Sequence, residues 1–433
     1  MLLNNKIVKN ASWIIGCKIA QSLIGLIISM LTARYLGPSN FGIINYAASL
    51  TTFAVPLVQL GLTNIMVQEM VNNPEKEGEI LGTSILMSSI SAIMCVLGVF
   101  AVVSVLNADE TTTIIVCALY STILVFQAME LTQYWFQAKY LSKFTSIVSF
   151  VAYIVVALYK IFLLVTHKSI FWFAVSNSFD SALIAFSIYF IYRKKGGRPF
   201  NLSFVTAKRL FAKSHYYIVS SMMVVIFAQI DRVMIKNMLG NAEVGFYSAA
   251  LTCAGLASFV FAALIDSFRP SVFEALKKSK EEFEKKMSTL YGIVVYSSLS
   301  FSLILTFFAS FVVGILYGEA YSPSVNALRC AVWFTTFSYL GAVRNIWILA
   351  ENKQKYLWII NLSGASFNVI LNIIFIPYWG IVGAALTSVA TQFFTNVIIN
   401  HIISPIRHSN ILMIRGMNPV FLFNVTFNKH TNL

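Results

Sequence analysis

The chain has 433 residues, 58% of them apolar and only 11% charged, against roughly 45–50% apolar and about 25% charged in an ordinary soluble domain. That composition nearly excludes a water-soluble enzyme, and at roughly 20 apolar residues per membrane helix it supplies on the order of twelve spans with no room for a folded soluble domain. The net charge of +14 does not point to nucleic acid, because the basic residues fall mostly between apolar runs and so report topology first.

In chain order the apolar runs predict spans over 12–33, 41–61, 80–105, 112–134, 145–165 and 170–192. The second half gives 216–238, 244–268, 289–316, 325–349, 356–376 and 381–403. The first run is too long for a signal peptide and is followed by no small-residue cleavage site. The expected architecture is an all-α polytopic membrane protein of about twelve helices. It comprises an N-terminal six-helix lobe over 1–192, an inter-lobe linker over 193–215, a second six-helix lobe over 216–403 and a tail over 404–433. The segment EALKKSKEEFEKKM (274–287), with Glu and Lys at helical spacing, predicts a short amphipathic surface helix.

Basic residues occupy alternate loops. Lys6 and Lys9, Lys139 and Lys143, the run from Arg193 to Lys213, the lysines of 277–286, Lys353 and Lys355, and Arg407 and Arg415 all fall on one side. By the positive-inside rule that side is the cytoplasm, and it holds both termini, the linker and the tail. The connections on the other side are short, which leaves no catalytic or receptor-like head there.

A repeat marks the two halves. Leu36-Gly37 to Gly42 follows the first span and Leu239-Gly240 to Gly245 follows the seventh, each with the pattern L-G-x-x-x-x-G and each preceded by a basic residue, Arg34 or Lys236. Such glycines suit a tight turn between antiparallel helices. Six spans separate the copies, so both turns lie on one membrane face and the halves are parallel repeats, a transporter plan.

At TARYLGPSNFG (32–42), with Pro56-Leu-Val-Gln-Leu-Gly61 after it, the sequence resembles the polysaccharide exporter family, the O-antigen flippases of the MATE-like superfamily. Asp231-Arg-Val-Met-Ile235, Gly245-Phe-Tyr-Ser-Ala249 and Ile376-Pro-Tyr-Trp-Gly380-Ile-Val-Gly383-Ala-Ala are similar to further segments of that family, so that the likeness covers about residues 5–403. The resemblance implies a two-lobed transporter of the bacterial inner membrane. It would move an undecaprenyl-pyrophosphate-linked oligosaccharide repeat unit, of O-antigen or a related polysaccharide, from the cytoplasmic to the periplasmic leaflet by alternating access. A polysaccharide polymerase and a chain-length regulator are the implied partners besides the bilayer and the substrate. The chain departs from larger relatives of fourteen spans by ending after the twelfth.

Ionisable side chains inside spans are costly, by about 2.5–3.5 kcal/mol each, and mark pathways or pairs. The cations Lys18, Lys160, Arg232, Arg329 and Arg344, with Arg34 at a span end, are candidates for a substrate cavity of positive potential suited to pyrophosphate. Glu130, Asp180, Asp231 and Asp266 are candidates for carrying a coupling proton or sodium ion. Asp231 and Arg232 are adjacent and point about 100° apart on a helix, so one should line the cavity while the other pairs with a neighbour.

No catalytic residue, metal site or cofactor is read. The five histidines are scattered, the five cysteines sit singly in apolar runs, and there is no P-loop or GxSxG. Two rival functions stay open. A cation-coupled multidrug exporter of the same fold is disfavoured by Lys18, where such exporters place acids, and a membrane polymerase by the absence of a large extracytoplasmic loop.

Overall fold

The computed structural model describes residues 2–422, with side chains from residue 16. The part of the expected tail beyond 422 lies outside the described residues. Helices make up 91% of the structure and the described residues contain no strand. The chain divides into two compact units, residues 1–233 and 234–433.

The first unit holds α1 (Leu2–Gln59), α2 (Met66–Asn72), α3 (Glu77–Leu106), α4 (Thr111–Ser121), α5 (Ile123–Met129), α6 (Gln133–Ala138), α7 (Ser142–Val165), α8 (Ile170–Lys194) and most of α9 (Phe204–Leu239). The second holds α10 (Asn241–Ala254), α11 (Ser258–Lys278), α12 (Lys280–Phe307), α13 (Ala309–Tyr317), α14 (Ser324–Ala350), α15 (Leu357–Phe393), α16 (Ile399–Ile402) and α17 (Arg407–Met417).

Every predicted span falls on helix. Predicted spans 12–33 and 41–61 share α1, which breaks at Gly37 (φ 72°, ψ 170°), and spans 356–376 and 381–403 share α15 and α16, which break at Gly380 (φ 57°) behind Pro377. Gly240 takes φ 105° and ψ −177°, so the first glycines of the two sequence repeats have the same backbone twist. With ψ near 180° this region is open only to glycine. The second glycines, Gly42 and Gly245, are buried inside the helices that follow. Span 112–134 is one helical path built of short pieces: α4 ends at Ser121, and the hydroxyl of the next residue, Thr122, is 2.7 Å from the Ser178 hydroxyl of α8.

In the first unit α1 packs on α4 and α7, and α3, α5 and α8 close the bundle around it. One apolar cluster gathers Leu62, Met66, Trp135, Phe136 and Tyr192 with Leu210 of α9. In the second unit α14 is central, packed by α10, α12 and α15, with Trp347 almost fully buried among Tyr291, Val343 and Met413.

The charged segment 274–287 does not form a separate surface helix, as expected from its spacing. It is the junction of α11 and α12: Ser279 is extended (φ −159°) and its hydroxyl accepts from the Glu282 N–H at 3.1 Å, capping α12. Phe283 and Met287, wholly buried, tie the first turns of α12 into the core. The segment expected as a linker is also built in. Asn201 N–H donates to the Gly78 carbonyl at 3.3 Å and Ser203 N–H to Thr83 Oγ1 at 3.1 Å, while 204–215 already belongs to α9. Gly78 and Gly82 make this possible, since a Cβ on either would stand 2.3 Å from the Pro199 carbonyl oxygen or 2.7 Å from that of Asn201.

The described part of the tail is docked in the second unit. Gly416 of α17 crosses Gly292 of α12, and a Cβ on Gly292 would lie 2.4 Å from the Gly416 carbonyl oxygen. Tyr291 and Ser409 hydroxyls meet at 2.6 Å, and the Tyr296 hydroxyl donates to the Met417 carbonyl at 2.7 Å.

Candidate functional site

Three of the predicted site residues come together inside the first unit. On α8, Asn177, Asp180 and Ser181 recur at three- and four-residue spacing and so share a face; that face looks onto Lys160 of α7 and Glu130 after α5. Lys160 Nζ donates to Asn177 Oδ1 at 3.1 Å. Lys160 and the Tyr153 hydroxyl both lie within electrostatic range of Asp180. Ser181 lies beside the Glu130 carboxyl, and Tyr134, near Thr63, approaches the same carboxyl. Asp180 Oδ1, Glu130 Oε1 and the nearby Gln127 Oε1 are buried oxygens that accept no hydrogen bond. The cluster thus pairs one ammonium with two carboxyls, and leaves buried acceptors toward which a proton or a small cation would be drawn. Tyr153 also reaches α1, where a Cβ on Gly25 would meet its hydroxyl at 2.3 Å.

A second polar group joins α1 to α9. The Ser49 hydroxyl donates to Gln229 Oε1 at 3.1 Å, and Arg232 Nη1 donates to the same oxygen at 2.6 Å. Asp231 is buried whereas Arg232 is half-buried, as the angle between adjacent helical positions requires.

The other candidates stand apart. Arg344 of α14 is buried in the second unit. Its Nη1 donates to the Thr395 carbonyl at 3.0 Å and to Asn400 Oδ1 at 3.4 Å, and its Nη2 to Asn345 Oδ1 at 3.1 Å. Thr395 lies in a single π-helical turn, Phe394–Ile398, whose wider spacing disrupts the usual i to i−4 ladder. Arg329 is exposed and reaches Asn326 Oδ1 at 3.3 Å. Asp266 and Arg269 form an exposed ion pair at 3.0 Å, and Lys18 and Arg34 are exposed on α1.

The neutral members of both clusters, Ser49, Gln127, Asn177 and Gln229, escape a search for charges. Their signal in the sequence is helical spacing from a charged residue: Asn177 is three residues before Asp180, Gln127 three before Glu130, and Gln229 three before Arg232. A further ionic group lies at the end of the first unit. Buried Glu69 takes Lys213 at 2.6 Å and Arg209 at 3.7 Å, and Glu77 takes Lys139 at 2.9 Å. It clamps α9 to α2.

Comparison with known proteins gives the following. The family model described as polysaccharide biosynthesis protein matches residues 7–273. The capsular polysaccharide biosynthesis protein CapF of Staphylococcus aureus is 21% identical over 395 residues, 89% of this chain and 96% of that protein. A putative O-antigen transporter of Shigella flexneri is 23% identical over 398 residues, 88% and 94% of the two chains. Among solved structures, the lipid II flippase MurJ in an inward closed conformation superposes with a TM-score of 0.69 at 15% identity, over 96% of this chain and 93% of that one. An inward-facing multidrug resistance MATE family transporter of the MOP superfamily gives 0.69 at 12% identity, over 92% and 95%. Both structures have this fold.

Proposed function

The chain belongs to the polysaccharide biosynthesis protein family, and from that membership we propose that it carries an undecaprenyl-pyrophosphate-linked oligosaccharide repeat unit from the cytoplasmic to the periplasmic leaflet. It is a multi-pass membrane transporter of the lipid-linked polysaccharide class and not an enzyme. The observation that carries the reading is the conjunction of that family match with a fold shared, over 96% of the chain, with a lipid II flippase.

The membrane is the bacterial inner membrane, with both termini and the loop 193–203 on the cytoplasmic side, as the distribution of Lys and Arg supports. The two units alternate access to the leaflets. Arg232 offers a half-buried guanidinium to the pyrophosphate, which it can hold through two parallel hydrogen bonds. The exposed Lys18, Arg34 and Arg329 attend to the anionic parts of the substrate, while Arg344, bonded to a main-chain carbonyl, holds α14 against the π-helical turn. Coupling resides in the Lys160, Asp180 and Glu130 cluster, which becomes neutral by taking up one proton or one sodium ion. Asp231 and Asp266 are the secondary candidates for that role. The polymerase and the chain-length regulator of the same pathway are the partners this reading calls for.

The test is deletion of the gene in its host, reading surface polysaccharide and the leaflet in which lipid-linked repeat units accumulate. Cytoplasmic-side accumulation with loss of surface glycan is the expected result. Single units accumulating on the periplasmic side would overturn the assignment in favour of a polymerisation defect.

A further inference from the structure

The helix α17 has three faces. Ser409, Leu412, Met413 and Gly416 are buried against the second unit, with Gly416 in close backbone contact with Gly292 of α12. Ile411 and Ile414, three residues apart, share a second face and are 55% and 64% exposed. Arg415 and His408, seven residues apart, share a third, where His408 Nε2 meets Glu284 Oε1 at 2.9 Å.

The contacts with α12 fix where this helix lies. His408 reaches the charged start of α12, whose last charge is Lys286, whereas Gly416 crosses Gly292, six residues or about 9 Å farther along and already in the apolar run. On a spanning helix that change of composition marks the passage from water to hydrocarbon. The 11 residues of α17 are too few to cross the layer, so the helix lies along its border, with Ile411 and Ile414 on an open apolar face. Ile414 also lines an apolar groove with Phe337, Leu340, Met413, Met417 and His401, and the His401 carbonyl accepts from Arg407 Nε at 2.7 Å.

Charge completes the pattern. Arg407 and Arg415 are exposed, and the sequence carries no Asp or Glu after Glu351. Arg407 is tied back to His401, while the Arg415 guanidinium lies over the Phe421 ring at 4.9 Å, so the two are held toward opposite ends of the helix.

We infer that α17 is an anchor for anionic phospholipid of the cytoplasmic leaflet, with acyl chains against Ile411, Ile414 and the groove, and headgroup phosphates at Arg407 and Arg415. An apolar face flanked by cations at the edge of the hydrocarbon is what such a surface complements. Guanidiniums held apart suit separate headgroups, whereas a single pyrophosphate would need them converged. An acidic protein would match the arginines and leave the two isoleucines uncovered. The inference goes beyond the proposed transport and takes from it only the sidedness of the chain.

For the test, the full chain in detergent is titrated with phosphatidylglycerol and separately with phosphatidylethanolamine, and bound lipid is read by native mass spectrometry. Thermal unfolding checks that each variant is folded. Arg407→Gln combined with Arg415→Gln should weaken phosphatidylglycerol binding about tenfold and leave phosphatidylethanolamine binding as it was. Ile411→Ser with Ile414→Ser should weaken both, and Lys208→Gln, an exposed cation of the first unit, should change neither. Unchanged phosphatidylglycerol binding by the double arginine variant overturns the inference. So does displacement of that lipid by equimolar undecaprenyl pyrophosphate, which would make α17 a substrate seat, and so does a lipid-free dimer that the isoleucine substitutions dissolve. The sidedness is read separately: if membrane-impermeant maleimide labels Arg415→Cys in intact cells, the proposed topology fails and the leaflet assignment with it.

Discussion

Arg232 and Arg344 are both arginines inside predicted spans, and the structure separates them by what each touches. Arg344 is buried and spends its two Nη groups on Thr395, Asn400 and Asn345; hydrogen bonds from a charged group contribute about 1.5–3 kcal/mol each, and removing the donor strands buried acceptors. Arg344→Ala should lower thermal stability in detergent by about 3 kcal/mol or more and reduce the amount of protein in the membrane, whereas Arg232→Ala, which frees the half-buried Gln229, should lower stability less and abolish export. Equal melting temperatures for the two variants would remove the structural role given to Arg344. Gly78 and Gly82 form another such pair. Adding a methyl group where a backbone oxygen stands 2.3 or 2.7 Å away costs about 1–3 kcal/mol in a packed setting. Gly78→Ala and Gly82→Ala should therefore release 195–203 from α3, seen as faster proteolytic cleavage in that segment alone.

At the scale of elements, the spans were legible because length and apolarity are properties of the chain in one dimension. Partners were not, since a partner is fixed by which face of a helix meets which neighbour. Segment 274–287 shows the limit: its Glu and Lys spacing fits a surface helix and the start of a buried one equally well. Phe283 and Met287, four apart on one face, were the signal that α12 had begun. In the same way the charges of Lys160, Asp180 and Glu130 could be read in sequence, but their meeting between α5, α7 and α8 could not. That meeting carries its own prediction. Lys160 and Asp180 are half-buried opposite charges within electrostatic range of each other, and removing one of two such charges leaves the other uncompensated, while replacing both by uncharged groups is often neutral. Lys160→Met and Asp180→Asn should each lower stability, and the double variant should regain it without regaining transport. A double variant that both folds and exports normally would exclude the cluster from coupling.

Taken whole, the molecule has charge on its connections and little in its spans, and this fixes an expectation about sidedness. Lys195 and Asp109 are both exposed and lie in loops an odd number of spans apart. In intact cells a membrane-impermeant maleimide should label Asp109→Cys and spare Lys195→Cys, and the reverse pattern would invert the topology and the direction of transport with it. The twin turns at Gly37 and Gly240 have a consequence of another kind. Their φ and ψ values fall where a side chain of any size collides with its own backbone, so these two positions are guarded by steric exclusion, not by any ligand. A lineage of this protein could change sugar, lipid or coupling ion, and rewrite nearly every charged residue discussed above. The two glycines would still be passed on unaltered, as fixed points from which the ancestry of each half could be traced.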